Sequence, residues 1–399
     1  LRTNLEPEQK LKILIVTAMY PPIRTGTSYY SRNLAEALQS QGCIVQVVTA
    51  SNPDGNADKG DTTVHRLPAI HIPLKNYFKH LRFCSLYPRN YHSIHNIARE
   101  LNPDTIILIN HYLDIAFLAI HAARKVGCPL YVSIGTQLQS LNKFRNKVLR
   151  VLDRLIIGTF VIPYTKRIIS WDREIERYIE DVHSAKNAAK SIIIPFGVNG
   201  DITRYNGFDN QYADSNQILG VGAVIDHRDY IYQIRVFKKL LELFPNLTLK
   251  IIGNVYKDKT VKIAHQLGIE DKVVFTGELP HEQVIQEMQR SMLHWMMING
   301  SYVGLGTSTI EAMLLGVPIV SNVQTDLIGE AKLENMNNYI YSDGQNVDRD
   351  VEHISRVIKD RELRRNIGQY GRAFVQQYLN WDLVANKYIS YINKDRLVS

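Results

Sequence analysis

Cysteine is scarce in this chain. Its 399 residues include three, Cys43, Cys84 and Cys128, an odd number with no Cys-x-x-Cys pattern, which argues against structural disulfides and a cysteine zinc site. Long apolar runs are missing: none approaches the roughly 18 residues a bilayer span requires, and the opening LRTNLEPEQKLK is polar. The expectation is a cytoplasmic protein. The 13 histidines are scattered without ligand spacing, so no metal is expected. Helix-turn-helix, RNA-recognition and zinc-finger patterns are absent, and nucleic acid is not an expected partner. There is no low-complexity segment and no repeat shorter than a domain.

What is present is an ordinary globular composition, 45% hydrophobic and 22% charged, long enough for two domains. Charge is unevenly spread. Residues 1 to 200 hold 25 Lys and Arg against 15 Asp and Glu, whereas residues 201 to 399 hold 22 against 24. A basic first half suits something anionic. Apolar runs alternate with helical periodicity. KILIVTA (12 to 18), CIVQVVTA (43 to 50), TIILIN (105 to 110), LYVSIG (130 to 135), KRIISW (166 to 171) and SIIIPFG (191 to 197) read as strands of a covered parallel sheet. After an Asn, Asp and Gly-rich connection, the pattern resumes at ILGVGAV (218 to 224), LTLKIIG (247 to 253), KVVFTG (272 to 277), LHWMMI (293 to 298) and PIVSN (318 to 322). A helical tail is predicted from about 351 to 393. The expected fold is α/β, with two Rossmann-like doubly wound domains in series.

In such sheets ligands meet the turns after the strands. PPIRTGTS carries Gly26 just ahead of a helix, where a backbone can approach an anion, although a tight turn alone would also explain the glycine. VGLGTSTIEAMLLGVPIV (303 to 320) is the stronger case. Gly304 and Gly306 precede a helix starting near Thr307 to Thr309, so unpaired N–H groups and hydroxyls converge at its positive end, a seat for phosphate. Glu311 follows as a lone carboxylate able to accept from the vicinal hydroxyls of a ribose. A second reading of the same residues makes Ser308 a cap and Glu311 a partner of the helix dipole.

GLGTSTIEAMLLGVPIVSN resembles the donor-site segment of the retaining nucleotide-sugar glycosyltransferases of the GT-B fold, family 4. KILIVTAMYPPIRTGTSYYSRNLAEAL, IIIPFGVN, VVFTGELPHEQV and RELRRNIGQYGRAFVQQYLNWDLVANKY follow the family's order. The resemblance implies an acceptor-side domain over 1–195, a connection over 196–217, a nucleotide-sugar domain over 218–378 and a C-terminal helix over 379–399 returning to the first domain, with a cleft between the halves. It implies that Glu311 binds ribose and that the amides of Gly306, Thr307, Ser308 and Thr309 hold the diphosphate. The turn at Glu278 and Leu279 would meet the base, and Thr25, Gly26 and Thr27 would close over the phosphates. A nucleoside-diphosphate sugar is the implied co-substrate, with no other cofactor.

The chain departs from that pattern. A second carboxylate usually stands eight residues before the ribose glutamate, where this chain has Val303. The basic pair that clamps the diphosphate reads Ala223 and Arg228, so Arg228 is the remaining candidate catalytic cation. The histidine expected after the strand at 130–135 is replaced by Gly135, Thr136 and Gln137, which leaves His111 as the nearest histidine on the acceptor side. These departures keep a second possibility open, a weakly active or inactive nucleotide-sugar binding protein or partner subunit of the same fold. Two basic, aromatic stretches, 75–92 and 141–160, suit an anionic membrane surface. The second sets Lys143, Lys147, Arg150 and Arg154 on one helical face and Phe144, Leu149, Leu152 and Leu155 near another. A solvated charged face over a core-packed helix is the plainer alternative. The expectation is peripheral attachment and a lipid-linked or polysaccharide acceptor.

Overall fold

The continuous apolar runs become strands covered on both faces. The computed structural model describes residues 10–23, 25–53, 63–73, 80–111, 114–198, 215–300 and 304–397. The chain divides into two compact units, one of Leu1–Leu138, Phe144–Gly197 and Trp381–Ser399, the other of Gln139–Lys143 and Val198–Asn380.

In the first unit, strands β1 (Lys12–Thr17), β2 (Ile44–Ala50), β3 (Val64–Leu67), β6 (Thr105–Ile109), β7 (Leu130–Ile134), β8 (Arg167–Ser170) and β9 (Ser191–Ile193) form one sheet in the order β3-β2-β1-β6-β7-β8-β9. Every pair is parallel. β6 and β7 are buried at every position, as a strand covered by helices on both sides must be. Between β3 and β6 the chain forms an antiparallel hairpin, β4 (Ile70–Pro73) with β5 (His80–Phe83). The helices are α1 (Gly26–Ser40), α2 (Pro88–Leu101), α3 (Ile115–Val126), α4 (Lys143–Phe160), α5 (Arg173–His183) and the short α6 (Ala185–Ala188).

The second unit repeats the winding. Strands β10 (Gln217–Val221), β11 (Thr248–Ile252), β12 (Val273–Gly277), β13 (Leu293–Met296), β14 (Ile319–Ser321) and β15 (Ile340–Tyr341) lie in the order β12-β11-β10-β13-β14-β15, all parallel. Helices α7 (Tyr230–Leu243), α8 (Lys259–Gln266), α9 (His281–Gln289), α10 (Thr307–Leu314), α11 (Val347–Lys359) and α12 (Arg361–Tyr378) connect or follow them. Trp295, Phe237 and Tyr230 sit fully buried in the core. This is the 3-2-1-4-5-6 order of a dinucleotide-type sheet, and the first unit extends it by one strand.

The predicted single tail is three helices. Asp360 is extended and serves at once as the C-cap of α11 and the N-cap of α12, accepting from the Leu363 N–H at 2.9 Å. The last helix, α13 (Trp381–Arg396), packs on α1 within the first unit. The Tyr388 hydroxyl lies 3.0 Å from that of Tyr30 and donates to Ser133 Oγ at 3.0 Å. Asp395 accepts from Arg167 Nε at 2.6 Å and from the Tyr131 hydroxyl at 2.5 Å. Burial pushes the Tyr30 phenol up to about 12, so the Tyr30, Tyr388 and Ser133 hydroxyls stay neutral and hydrogen-bonded.

Candidate functional site

In the second sheet β10 lies between β11 and β13, so successive connections leave in opposite directions and a crevice opens at the carboxyl ends of β10 and β13. The turn after β10 and the segment between β13 and α10 both start there. They are laced together: the Asn299 N–H donates to the His227 carbonyl at 2.8 Å and the Asp229 N–H to that of Met297 at 3.1 Å. Asn322 holds the same segment through both ends of its amide, accepting from the Ile298 N–H at 3.1 Å and donating to the Ile298 carbonyl at 2.8 Å.

α10 begins without a side-chain cap. Its N-cap is Gly306, at φ −76° and ψ 155°. The Thr309 and Ile310 N–H groups reach the Gly306 carbonyl, while among the described residues the Thr307 and Ser308 N–H groups have no backbone acceptor. A Cβ added at Gly306 would meet nothing within 4 Å. Neither conformation nor crowding therefore demands glycine, and the helix start is left open to an anion. The Ser308 hydroxyl donates to the Val221 carbonyl at 3.3 Å, fastening the helix to the end of β10, so Ser308 is not the cap. Nor is Glu311 a first-turn dipole partner, because the first turn carries no acid.

Glu311 is 4% exposed and has a specific companion. The His281 ring, at the start of α9, places Nε2 at 2.9 Å from Glu311 Oε1. That hydrogen bond holds the imidazole above its ordinary pKa, outweighing partial burial. Just before it stand Glu278, which accepts from Asn254 Nδ2 at 3.2 Å, and half-buried Leu279. Arg228 lies over the end of β10: a Cβ on Gly222 would come 2.3 Å from its Cζ, and its Nη1 contacts Met296 Sδ. Buried His294 is pushed down to about 3, first by burial and then by the Arg228 charge, so Arg228 is the local cation. The second unit thus brings Gly306, Thr307, Ser308, Thr309, Glu311 and Arg228 to one end of one sheet.

Within the first unit the loop after β1 is closed by its own side chains. Thr25 caps α1, accepting from the Ser28 N–H at 3.2 Å. Thr27 Oγ1 accepts from Asn110 Nδ2 at 2.8 Å, and Asn110 Oδ1 in turn accepts from the Gly135 N–H and the Thr136 hydroxyl, each at 3.3 Å. Asn110 has φ +62°, a left-handed position at the end of β6 that asparagine tolerates. A Cβ at Gly26 would also meet open space. His111, the candidate histidine on the acceptor side, lies inside the unit. It is 0% exposed, its Nε2 lies 3.0 Å from the Tyr178 hydroxyl, and it faces Asp153 inside the unit rather than solvent at a strand end. Val303 and most of the 196–217 connection lie outside the described residues.

Two family models cover most of the chain: Glycosyltransferase Family 4 over residues 24–201 and Glycosyl transferases group 1 over residues 202–374. The chain belongs to the GT-B glycosyltransferases of the family 4 type. Among curated relatives, the GDP-mannose-dependent alpha-(1-6)-phosphatidylinositol monomannoside mannosyltransferase of Mycobacterium tuberculosis is 27% identical over 148 residues, 36% of this chain. That match spans 38% of the relative's own length. Among solved structures, sucrose-phosphate synthase from Thermosynechococcus elongatus superposes with a TM-score of 0.73 at 16% identity, covering 97% of this chain and 100% of that one. HepE from Anabaena in complex with UDP gives 0.70 at 14%, covering 96% and 100%.

Two residues of this glycosyltransferase escaped the sequence reading. His281 stands in plain sight in GELPHEQV, but its partner is 30 residues away and nothing local announces the pair. Asn110 had a signal, an asparagine directly after an all-apolar strand. The triplet Asp348-Arg349-Asp350 has an Asp-x-Asp form able to chelate a metal, yet here it braces α11: buried Asp350 accepts from Tyr232 at 2.7 Å and from Ser342, and Asp348 pairs with Lys239 at 2.5 Å.

Proposed function

We propose that this glycosyltransferase takes a sugar from a nucleoside-diphosphate sugar and passes it, with retention of anomeric configuration, to a lipid-linked or polysaccharide acceptor at a membrane. The observation that carries the donor half is the uncapped start of α10 at the switch point of the second sheet, with Glu311 buried behind it. In this reading the diphosphate sits on the Thr307 and Ser308 N–H groups, the ribose hydroxyls donate to Glu311, and Arg228 swings from Met296 to the phosphate. Same-face transfer breaks the bond between the anomeric carbon and the phosphate oxygen and forms the bond to the acceptor oxygen. The acceptor's proton goes to the departing diphosphate. The protein's part is electrostatic: fixed N–H dipoles and a guanidinium meet the charge as it grows on the leaving group. No metal takes part in the proposed chemical step.

For the membrane half, α4 supplies the support. Its buried residues are Asp153 and Ile157, so it is not the core-packed helix of the plainer alternative. Phe144 is 77% and Leu155 59% exposed, and Val148, Val151, Leu152, Ile156 and Phe160 are exposed beside them. Lys143 and Lys147 stand on the same helix, exposed, whereas Arg154 is spent on the Val182 carbonyl at 2.7 Å. Apolar side chains flanked by lysines fit the headgroup boundary of an anionic bilayer, where each buried large side chain contributes about 1.5–3 kcal/mol. In the other basic stretch, 75–92, residues 75–79 lie outside the described residues, but Leu86 and Tyr87 after β5 are exposed too. The Mycobacterium relative takes GDP-mannose as donor and a phosphatidylinositol monomannoside as acceptor, while HepE is seen with UDP; both nucleotides carry a diphosphate and a ribose.

A thermal-shift screen over nucleoside diphosphates and their sugar conjugates tests the donor half, because a ligand that favours the folded state raises the melting temperature. One base should stabilise the wild type and leave Glu311→Ala and Arg228→Ala unmoved. The anomeric configuration of the product, read by NMR, then decides retention. A wild type stabilised by no nucleoside diphosphate contradicts the reading.

A further inference from the structure

Three side chains far apart in sequence meet inside the first unit. His111 follows β6, Asp153 sits in the middle of α4 and His183 ends α5, and one ligand atom from each lies within 4.8 Å of the others. His111 Nε2 is 3.6 Å from Asp153 Oδ1, and His183 Nε2 is 3.5 Å from Asp153 Oδ2, with all three side chains fully buried. These gaps are too long for hydrogen bonds. They match the spacing of ligands around one ion: with metal–N and metal–O bonds near 2.1 Å, tetrahedral neighbours stand about 3.4 Å apart.

A second observation points the same way. Neither ring nitrogen of His183 has a hydrogen-bond partner among the described residues, although a buried imidazole without one is costly. Asp153 Oδ2 accepts from the Tyr178 hydroxyl, while Asp153 Oδ1, buried like the rest of the side chain, has no hydrogen-bond partner among the described residues. Asp153 is one of two buried residues on an 18-residue helix, and a buried carboxylate is a poor anchor unless something binds it.

We propose that His111, Asp153 and His183 bind one divalent transition-metal ion of the zinc type. Two imidazoles and a carboxylate are a borderline-soft donor set suited to zinc. The Tyr178 hydroxyl, 3.0 Å from His111 Nε2 and bonded to Asp153, stands where a fourth ligand belongs. With every ligand buried the site is structural, outside the transfer chemistry. It clips α4 to α5 and to the turn after β6, which gives the helix with the exposed apolar face a fixed mount.

The test compares the full chain with His183→Gln, both refolded with excess zinc and then exchanged into zinc-free buffer. The wild type should keep about one zinc per chain by elemental analysis and His183→Gln none. Refolding with a chelator should lower the wild-type melting temperature and leave that of the variant unchanged. Cobalt in place of zinc should give the visible absorption of a tetrahedral site in the wild type alone. A wild type that emerges without metal overturns the proposal, and so does one whose zinc survives His183→Gln. Should the variant not fold, the wild-type metal content decides by itself. None of these readouts depends on donor binding, so failure here leaves the donor site standing.

Discussion

The two units wind their first strands identically but finish the critical helix differently. In the first unit the helix after β1 opens with Thr25, whose side chain satisfies the Ser28 N–H. In the second, α10 opens with Gly306 and no side chain does that work. One helix start is completed by a side chain and the other has no side-chain cap. Acids cap helices in both units: Asp172 accepts from the Ile175 N–H at 2.9 Å at the start of α5, and Asp229 from the Tyr232 N–H at 3.1 Å at the start of α7. Glu311 is different, buried behind an uncapped helix with an ionisable partner. A shared fold does not imply a shared task; in the proposed reading it is the open start of α10, with Glu311 behind it, that suits the second unit to a diphosphate.

The contrast can be broken most forcefully at Gly253. Its φ is +147°, and a Cβ there would lie 2.3 Å from the Gly222 carbonyl oxygen, so Gly253→Ala should cost on the order of 3 kcal/mol and lower the melting temperature by several degrees. Gly26→Ala, with open space around it, should stay within about 0.5 kcal/mol of wild type. Next in size is the exposed face of α4. Phe144→Asp with Leu155→Asp should abolish sedimentation with anionic vesicles at low salt while leaving the melting temperature in place, since neither side chain is buried. A double variant that still pellets with vesicles would remove α4 from the membrane reading.

Much of this was legible from sequence. Strands buried on both faces announce themselves as unbroken apolar runs, and β1, β2, β6, β7, β10 and β11 fall where those runs lie. β3, β4 and β5 escaped because short, half-exposed strands carry no such run; β4 has no buried residue. The break at Asp360 escaped because an aspartate among charged residues reads as one more helical position until its extended backbone is seen. The start of α10 was legible from Gly-Leu-Gly-Thr-Ser-Thr, but what Glu311 touches was not. Burial of His111 and the meeting of His111, Asp153 and His183 were equally hidden, since partners 42 and 30 positions apart leave no spacing to read.

A smaller effect sharpens the Glu311 pairing. Because Glu311 raises the folded-state pKa of His281, the pair's contribution to stability is complete below the ordinary histidine value of about 6.5 and fades as pH rises through the raised value. His281 is 59% exposed, so solvent screens the pair and the change in stability is small. The shift is best read by NMR titration of the ring. In Glu311→Gln the His281 pKa should fall toward its ordinary value; a titration unchanged by that substitution would dissolve the pair. Smallest of all, Thr25→Ala should cost about 1 kcal/mol, the usual worth of a helix cap.

The most direct test is a calorimetric titration of the stabilising nucleoside diphosphate into the wild type and Gly306→Ala, with melting curves on the same samples. If α10 is left open for a diphosphate, the variant melts within a few degrees of wild type and binds at least about tenfold more weakly, near 1.4 kcal/mol. Equal affinity in a folded Gly306→Ala would contradict the account, because a methyl group at the mouth of the seat would then obstruct nothing.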